Sequence, residues 1–237
     1  MQVFTSVDPL CERAYDISPY VYCHNNPVNR IDPDGRIDMD KQTQKKYPEL
    51  TTYVKGLAKE WNGKSAEFKK AFMDKSGLNE KQVVNMLTFG KGPKLVVANL
   101  DNATSKTNGG TSVVKDPKTG KDTNDNGGKG LIKLDNDVVN MMEKAQTGKD
   151  RQVGNIMVES TTFHELTHVG NLTTSHTTDG TFNESGKAFE IDAFGKDINR
   201  SNVNGYWQSI QPQSIPTPVT PTLQTQPVVA PQPMFNY

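Results

Sequence analysis

The sequence lacks the features that would bind by charge, span a membrane or staple the chain with disulfides. Its 27 basic and 27 acidic residues cancel, so no global basic field draws it to nucleic acid. No apolar run approaches the ~20 residues needed to span a bilayer. The first residues, Met1 to Asp8, have neither the basic nor the apolar region of a signal peptide, and the sequence reads as carrying none. Cys11 and Cys23 are the only two cysteines. Two are not a disulfide framework, and without metal-ligand spacing between them they read as free thiols. Apolar residues make up only 33% of the 237, below the ~45–50% of typical globular domains, so part of the chain is expected to lie outside any packed core.

The two ends read as lying outside that core. Residues 1 to about 36 are punctuated by Asp8-Pro9, Ser18-Pro19, Asn25-Asn26-Pro27 and Asp32-Pro33-Asp34-Gly35, a succession of turns between short aromatic and β-branched runs. Such a length cannot bury a core by itself. At the other end charge disappears after Trp207, and seven of the fourteen prolines fall between Pro212 and Pro233 among Gln, Thr, Val and Ser. That composition forms neither ladder nor helix and reads as a disordered or polyproline-like tail. The expected division is therefore 1–37, a folded domain over 38–206, and a tail over 207–237.

Within the middle segment the signal is α+β. Tyr47, Leu50, Tyr53, Val54, Leu57 and Trp61 recur at helical spacing; Phe68, Phe72 and Met73 predict a second helix, and Val83, Val84, Met86 and Leu87 a third. Lys94–Leu100, Thr111–Val114 and Gly130–Leu134 read as strands of a small mixed or antiparallel sheet, and Asn136-Asp137 cap a short helix through Met142. The polar loop between Asp116 and Gly130 contains Asp122-x-Asn124-x-Asn126-Gly127, half of a calcium-loop pattern. Its twelfth position is Lys133, a cation where a bidentate glutamate belongs, so the segment reads as a hairpin tip.

The stretch that carries chemistry is Phe163-His164-Glu165-Leu166-Thr167-His168. Residues four apart on a helix share a face, so His164 and His168 can present two imidazoles to one metal ion while Glu165 leans to the same side. Two neutral histidines with a neighbouring glutamate are the donors and the general base of a zinc hydrolase. Val153, Ile156, Met157, Phe163, Leu166 and Val169 space as an apolar stripe along this helix, and Gly170-Asn171 read as its end. Catalytic zinc takes three protein ligands and keeps one position for water. The candidates for the third are His176, Asp179, Glu184, Glu190 and Asp192. Glu190 is preferred, because Glu184–Gly195 suits a second helix on which a carboxylate beside the buried edge needs a partner. Asp192 reads either as an orienting group for a ligand histidine or as a solvent-facing helical aspartate, and His176 as an exposed loop residue or a group lining the cleft.

Two resemblances add to this. Phe4-Thr5-Ser6-Val7-Asp8-Pro9-Leu10, Ser18-Pro19-Tyr20-Val21-Tyr22 and Asn25-Asn26-Pro27-Val28-Asn29-Arg30-Ile31-Asp32-Pro33-Asp34-Gly35 together resemble the closing segment of the Rhs repeat-associated core of bacterial polymorphic toxins. In that family the element ends a β-cocoon shell and precedes a variable toxin domain. Some members cut themselves there; this chain has Arg36 where those members carry leucine, and Asp32 also reads as a turn-forming residue. The 22-residue spacing from His168 to Glu190 resembles the glutamate-zincins, and Gly186-x-x-x-Glu190-x-Asp192-Ala193-x-Gly195 looks like the metallopeptidase toxin domains attached to Rhs proteins. The metzincin pattern, by contrast, would want histidine where Thr174 stands. The resemblances imply a zincin-like fold and a Zn²⁺ endopeptidase with His164, His168 and Glu190 as ligands and Glu165 as base. They also imply a protein or peptide substrate, delivery into a target cell as part of a larger effector, and a cognate immunity protein. Two other readings stay open: a non-catalytic interaction module with a structural or vestigial metal site, and a metal hydrolase acting on a non-peptide bond.

Overall fold

The computed structural model describes residues 39–90, 92–126, 128–176 and 185–212. The Rhs-like segment, Asp179, Glu184 and nearly all of the proline-rich tail lie outside these residues. The elements run α1 (Lys41–Lys46), α2 (Pro48–Gly63), α3 (Ala66–Ser76), α4 (Glu80–Leu87), β1 (Lys94–Ala98), β2 (Gly109–Thr111), β3 (Val113–Lys115), β4 (Asp122–Asn124), β5 (Leu131–Asp135), α5 (Asn136–Glu143), α6 (Gly148–Thr174), α7 (Ser185–Phe194) and α8 (Val203–Ser209). The fold is α+β, as the sequence leads one to expect.

Three strands form one mixed sheet in the order β1-β5-β2. β5 is parallel to β1, with Lys94 opposite Leu131, and antiparallel to β2, with Gly109 opposite Leu134. The run Thr111–Val114, which reads as a single strand, is two. At Ser112 the chain makes its last bond to β5, Ser112 N–H to Leu131 O at 2.8 Å, and then leaves to pair with β4 as a separate hairpin. The reason is the partner: β5 begins at Leu131, so nothing remains beyond it for the strand to bond. The half calcium-loop pattern, read as a hairpin tip, lies partly in a strand instead: Asp122–Asn124 is β4, and the tip is the turn Asp116–Lys121 before it. Asn124 is buried in β4 and its amide donates to Val169 O at 3.0 Å and Thr173 Oγ1 at 2.9 Å, so it faces α6 as a donor.

The 27-residue α6 is the axis of the domain. It begins at a capping box in which Thr147 Oγ1 accepts from Asp150 N and the Asp150 carboxylate accepts from Thr147 N. The sequence suggests one apolar stripe, but buried residues run almost without interruption from Val153 to Asn171. From Ser160 to Asn171 only His164 is not buried, so this part of α6 has almost no solvent face, as in a core helix, and α6 touches α3, α5, α7, α8, β2, β4 and β5. Nor does the helix stop at Gly170-Asn171. It continues to Thr174 and is capped by Ser175 in the left-handed conformation. Gly170 serves packing instead: a Cβ there would lie 2.8 Å from Ser76 O at the end of α3. Asn171 is a buried tie. With its amide oriented to satisfy its neighbours, it donates to Lys75 O at 2.7 Å and His176 O at 3.1 Å and accepts from Ser185 Oγ at 2.9 Å.

An aromatic cluster joins α2, α3, α6 and α7. Phe163 stacks on Trp61 with centroids 6.2 Å apart and meets Phe68 and Phe72 edge-on at 5.1 Å. Phe189 meets Phe68 at 5.4 Å and Phe72 at 5.6 Å. Edge-to-face pairs at these separations add specific geometry to plain area burial. Phe163 and Phe189 each immediately precede a candidate metal ligand. The chain also stays packed past Tyr206: α8 runs to Ser209, and Trp207 donates its indole N–H to Gln152 of α6 at 2.7 Å.

Candidate metal centre

α6 and α7 meet where their aromatic knobs interlock, and the next residue of each helix turns about 100° from the core. On α6 this is His164; on α7 it is Glu190. His164 Nδ1 lies 3.3 Å from Glu190 Oε2, with the histidine side chain 25% exposed and the carboxylate 3%. The His164 and His168 rings are 5.1 Å apart by centroid, as residues one turn apart on a shared face should be. Glu190 Oε1 accepts a short hydrogen bond from Ser160 Oγ, one turn before His164. Gly186 makes the approach of the helices possible. It is one turn before Glu190, and a Cβ on it would come within 2.5–2.6 Å of His164 Nε2 and Cγ.

The cleft beside these groups, about 220 Å³, is lined by Thr161, His164, Glu165, Glu190, Asp197 and the β2 approach Lys106–Gly109. Glu165 stands across it from α7. Its Oε2 is 2.9 Å from Thr111 Oγ1, which also lies 3.0 Å from the Glu165 backbone oxygen. Burial pushes the Glu165 carboxyl above its usual value, against the pull of His164 and Thr111 and with the help of Glu190. Burial likewise raises Glu190, opposed by His164 and Ser160, while a hydrogen bond with Asp197 raises it further. For His164 desolvation acts downward, but the bond to Glu190 and the charges of Glu165, Glu190 and Asp197 outweigh it and hold its pKa above the ordinary value. The cleft thus gathers three carboxyl groups about one ring. A surplus of buried acid beside two imidazoles is a donor set that a divalent cation satisfies.

Of the rival ligands, Asp179 and Glu184 lie outside the described residues, and the two that are described fall elsewhere. His176 turns to the end of α3, its Nε2 3.0 Å from Asp74 O. Asp192 is 48% exposed and pairs with Lys75 at 3.0 Å, so the solvent-facing reading of that residue is the one the structure supports. Among the described residues one trio of acids, Asp101, Asp135 and Asp137, has its ligand atoms within 4.8 Å of one another. A cation already fills it: Arg200 reaches Asp101 at 2.6 Å and both Asp135 and Asp137 at 3.3 Å. His164, His168 and Glu190 do not form so tight a group, and closing on one ion requires a side-chain rotation.

Several neighbours of the site are not evident in the sequence. Ser160 was accessible in principle, because it precedes His164 by four on the same helix. Thr111, Gly109 and Asp197 carry no local signal, since the first two arrive from an edge strand and the third from the turn after Gly195.

No curated protein and no solved structure matches the chain. A family model, that of metallopeptidase toxin 3, matches residues 43–195, a span from α1 to the C-terminal cap of α7 that includes both histidines, Glu165 and Glu190. With more than half of its length covered by that model, the chain belongs to the metallopeptidase toxin 3 family and is a metal-dependent peptidase toxin acting on protein.

Proposed function

We propose that the domain is a zinc endopeptidase in which His164, His168 and Glu190 hold the ion and Glu165 is the general base. The observation that carries this is the pairing of His164 with a buried carboxylate from a different helix, Nδ1 to Oε2 at 3.3 Å. Two donors at the ~2.0–2.1 Å distances of a tetrahedral zinc site stand ~3.3 Å apart, so this edge already has the right length. When bound, zinc supplies a Lewis acid that polarises the scissile carbonyl and lowers the pKa of a water.

The remaining work falls to the chain. Glu165 accepts the proton of the attacking water and returns it to the leaving amine, and its raised pKa suits a group that must both take and give. Ser160 fixes the face that Glu190 presents, by holding its other oxygen. β2 is an edge strand of the sheet. Asn108 and Ser112 direct backbone groups at β5, so by alternation the N–H and C=O of Gly109 and Thr111 point outward, where an extended peptide can add as a further strand.

The chain's zincin-like character, the Rhs-type parent, delivery into a competing cell and neutralisation by an immunity protein in the producer belong to the same proposal. Their support is the Rhs-like succession before Gly35 and the toxin family of the domain. The decisive test is metal analysis of the purified protein with Glu165→Gln beside it. About one zinc per chain is expected in both, with growth arrest and proteolysis abolished in the variant. A variant as toxic as the parent would remove Glu165 from the chemistry.

A further inference from the structure

β2 addresses Glu165 with two consecutive residues of one face. Successive side chains of a strand alternate, so Gly109 and Thr111 look the same way and Gly110 looks the other. A Cβ on Gly109 would come within 2.8 Å of Glu165 Oε1 and 3.0 Å of its Cγ, and 2.7 Å from Thr161 Cγ2. A Cβ on Gly110 meets nothing within 4 Å. The Glu165 side chain therefore lies flat over the bare Cα of Gly109, and the next residue on that face, Thr111, reaches its Oε2 at 2.9 Å.

The hydroxyl of Thr111 has one proton and two acceptors within range, Glu165 Oε2 and the Glu165 backbone oxygen. That backbone oxygen sits in the interior of α6, where the helical ladder already uses it. The carboxylate is the stronger acceptor, since hydrogen bonds to a charged oxygen are roughly twice as strong as neutral ones. The proton goes to Oε2. The two oxygens of Glu165 then differ: one is tethered to an edge strand, and the other lies over a glycine in the wall of the cleft.

The geometry points to Thr111 as a positioning residue that ties down Glu165 Oε2 and leaves Oε1 as the oxygen that exchanges the proton. This rests on the peptidase reading above. It also gives the edge strand a second task, since the strand offered to the substrate is the one that aims the base. Substrate docking along β2 and orientation of Glu165 are then one mechanical unit.

The test uses the full chain loaded with zinc and fluorescently labelled casein as the probe. Thr111→Val is close in shape and removes the hydroxyl; Thr111→Ser restores it. Thr111→Val is expected to lower kcat about tenfold or more, the scale of effect that misorientation of a reacting group produces, with KM within about twofold and zinc content unchanged. Thr111→Ser should return most of kcat. Gly109→Ala should also lose activity, because the new methyl group would meet Glu165 Oε1 and Cγ. Crystals of the parent and of Thr111→Val give a readout independent of turnover: Glu165 Oε2 stays at Thr111 in the first and swings away in the second. Unchanged kcat in Thr111→Val, equal losses in Val and Ser, or a Glu165 carboxylate that keeps its place in the valine crystals would each overturn the assignment. A parent that leaves casein intact, as Glu165→Gln is expected to, would instead count against the peptidase reading, and the crystals would still decide what Thr111 holds.

Discussion

Replacing Phe189 asks whether the aromatic core, rather than the connection between α6 and α7, seats Glu190 against His164. Phe189 is fully buried, with ring centroids 5.4 Å from Phe68, 5.6 Å from Phe72, 6.1 Å from Phe163 and 6.0 Å from Phe194. Truncation to alanine removes a ring with four aromatic neighbours and leaves a cavity, at a cost of ~3–5 kcal/mol. Against a total stability of ~5–15 kcal/mol that variant risks unfolding. Phe189→Leu keeps most of the apolar volume and is expected to cost ~1–2 kcal/mol. The matched control is Leu50→Ala in α2, equally buried and costing ~2–5 kcal/mol, on a helix that contributes none of the candidate ligands. Urea unfolding measures stability, and competition with a chelator measures zinc affinity. Phe189→Leu should weaken zinc binding about tenfold, which is ~1.4 kcal/mol, because Glu190 is the next residue and moves with the turn that carries the ring. Leu50→Ala should lower the urea midpoint and leave zinc affinity within about twofold. A Phe189→Leu protein that is destabilised yet binds zinc as the parent does would show that something other than this packing fixes the carboxylate.

Two further outcomes are expected. Gly186→Ala should cost at least about tenfold in zinc affinity, with far-UV circular dichroism unchanged, because the new methyl group would occupy the place of the His164 ring and overpacking is relieved by moving the flexible partner; parent-like affinity would mean that His164 is not held where it stands. Metal-free protein should lose stability as the pH rises from about 5 to 8, read as a falling urea midpoint. Glu165, Glu190 and His164 all have folded pKa values above their ordinary ones, so each binds its proton more tightly folded than unfolded. Their contribution is full below the unfolded values and fades as the pH passes the folded ones. A midpoint that climbs over that range would contradict the sign.

Much of the domain is legible in the sequence because it is written in local periodicity. The stripe Leu50, Val54, Leu57 and Trp61 is buried in α2 as its spacing requires, and Phe68 and Phe72 are buried in α3. The spacing of His164 and His168 dictates that their rings meet once a helix forms. Glu190 could be singled out because a carboxylate beside an apolar helical edge needs a partner, and it is 2% exposed with His164 beside it. What local periodicity cannot carry is the identity of a partner. The run Thr111–Val114 reads as one strand, and only the start of β5 at Leu131 decides that the chain changes sheets at Ser112. Gly170 and Asn171 have the composition of a helix end. They lie inside α6 because Ser76 packs against the first and the second ties three segments together.

The residues of the site follow the same division. Those on α6 and α7 are spaced by the helix and could be found by counting; those from β2 and from the turn after α7 depend on which edge of the sheet faces α6. Thr111 is one threonine in a Thr/Ser/Gly/Asn-rich stretch, and its sequence context would suit an exposed loop equally well. Its position is fixed by two pairings far away in sequence, Gly109 with Leu134 and Thr111 with Ile132. These place the β2 face holding Gly109 and Thr111 against the turn of α6 that contains Glu165. A short edge strand with two glycines has little side-chain packing of its own and takes its register from β5. The aim of the Glu165 carboxylate, the base in the proposed mechanism, is therefore set by a strand pairing more than by the helix that bears it. A mutation that weakens β5 should reach the chemistry through Thr111 before it reaches the two histidines.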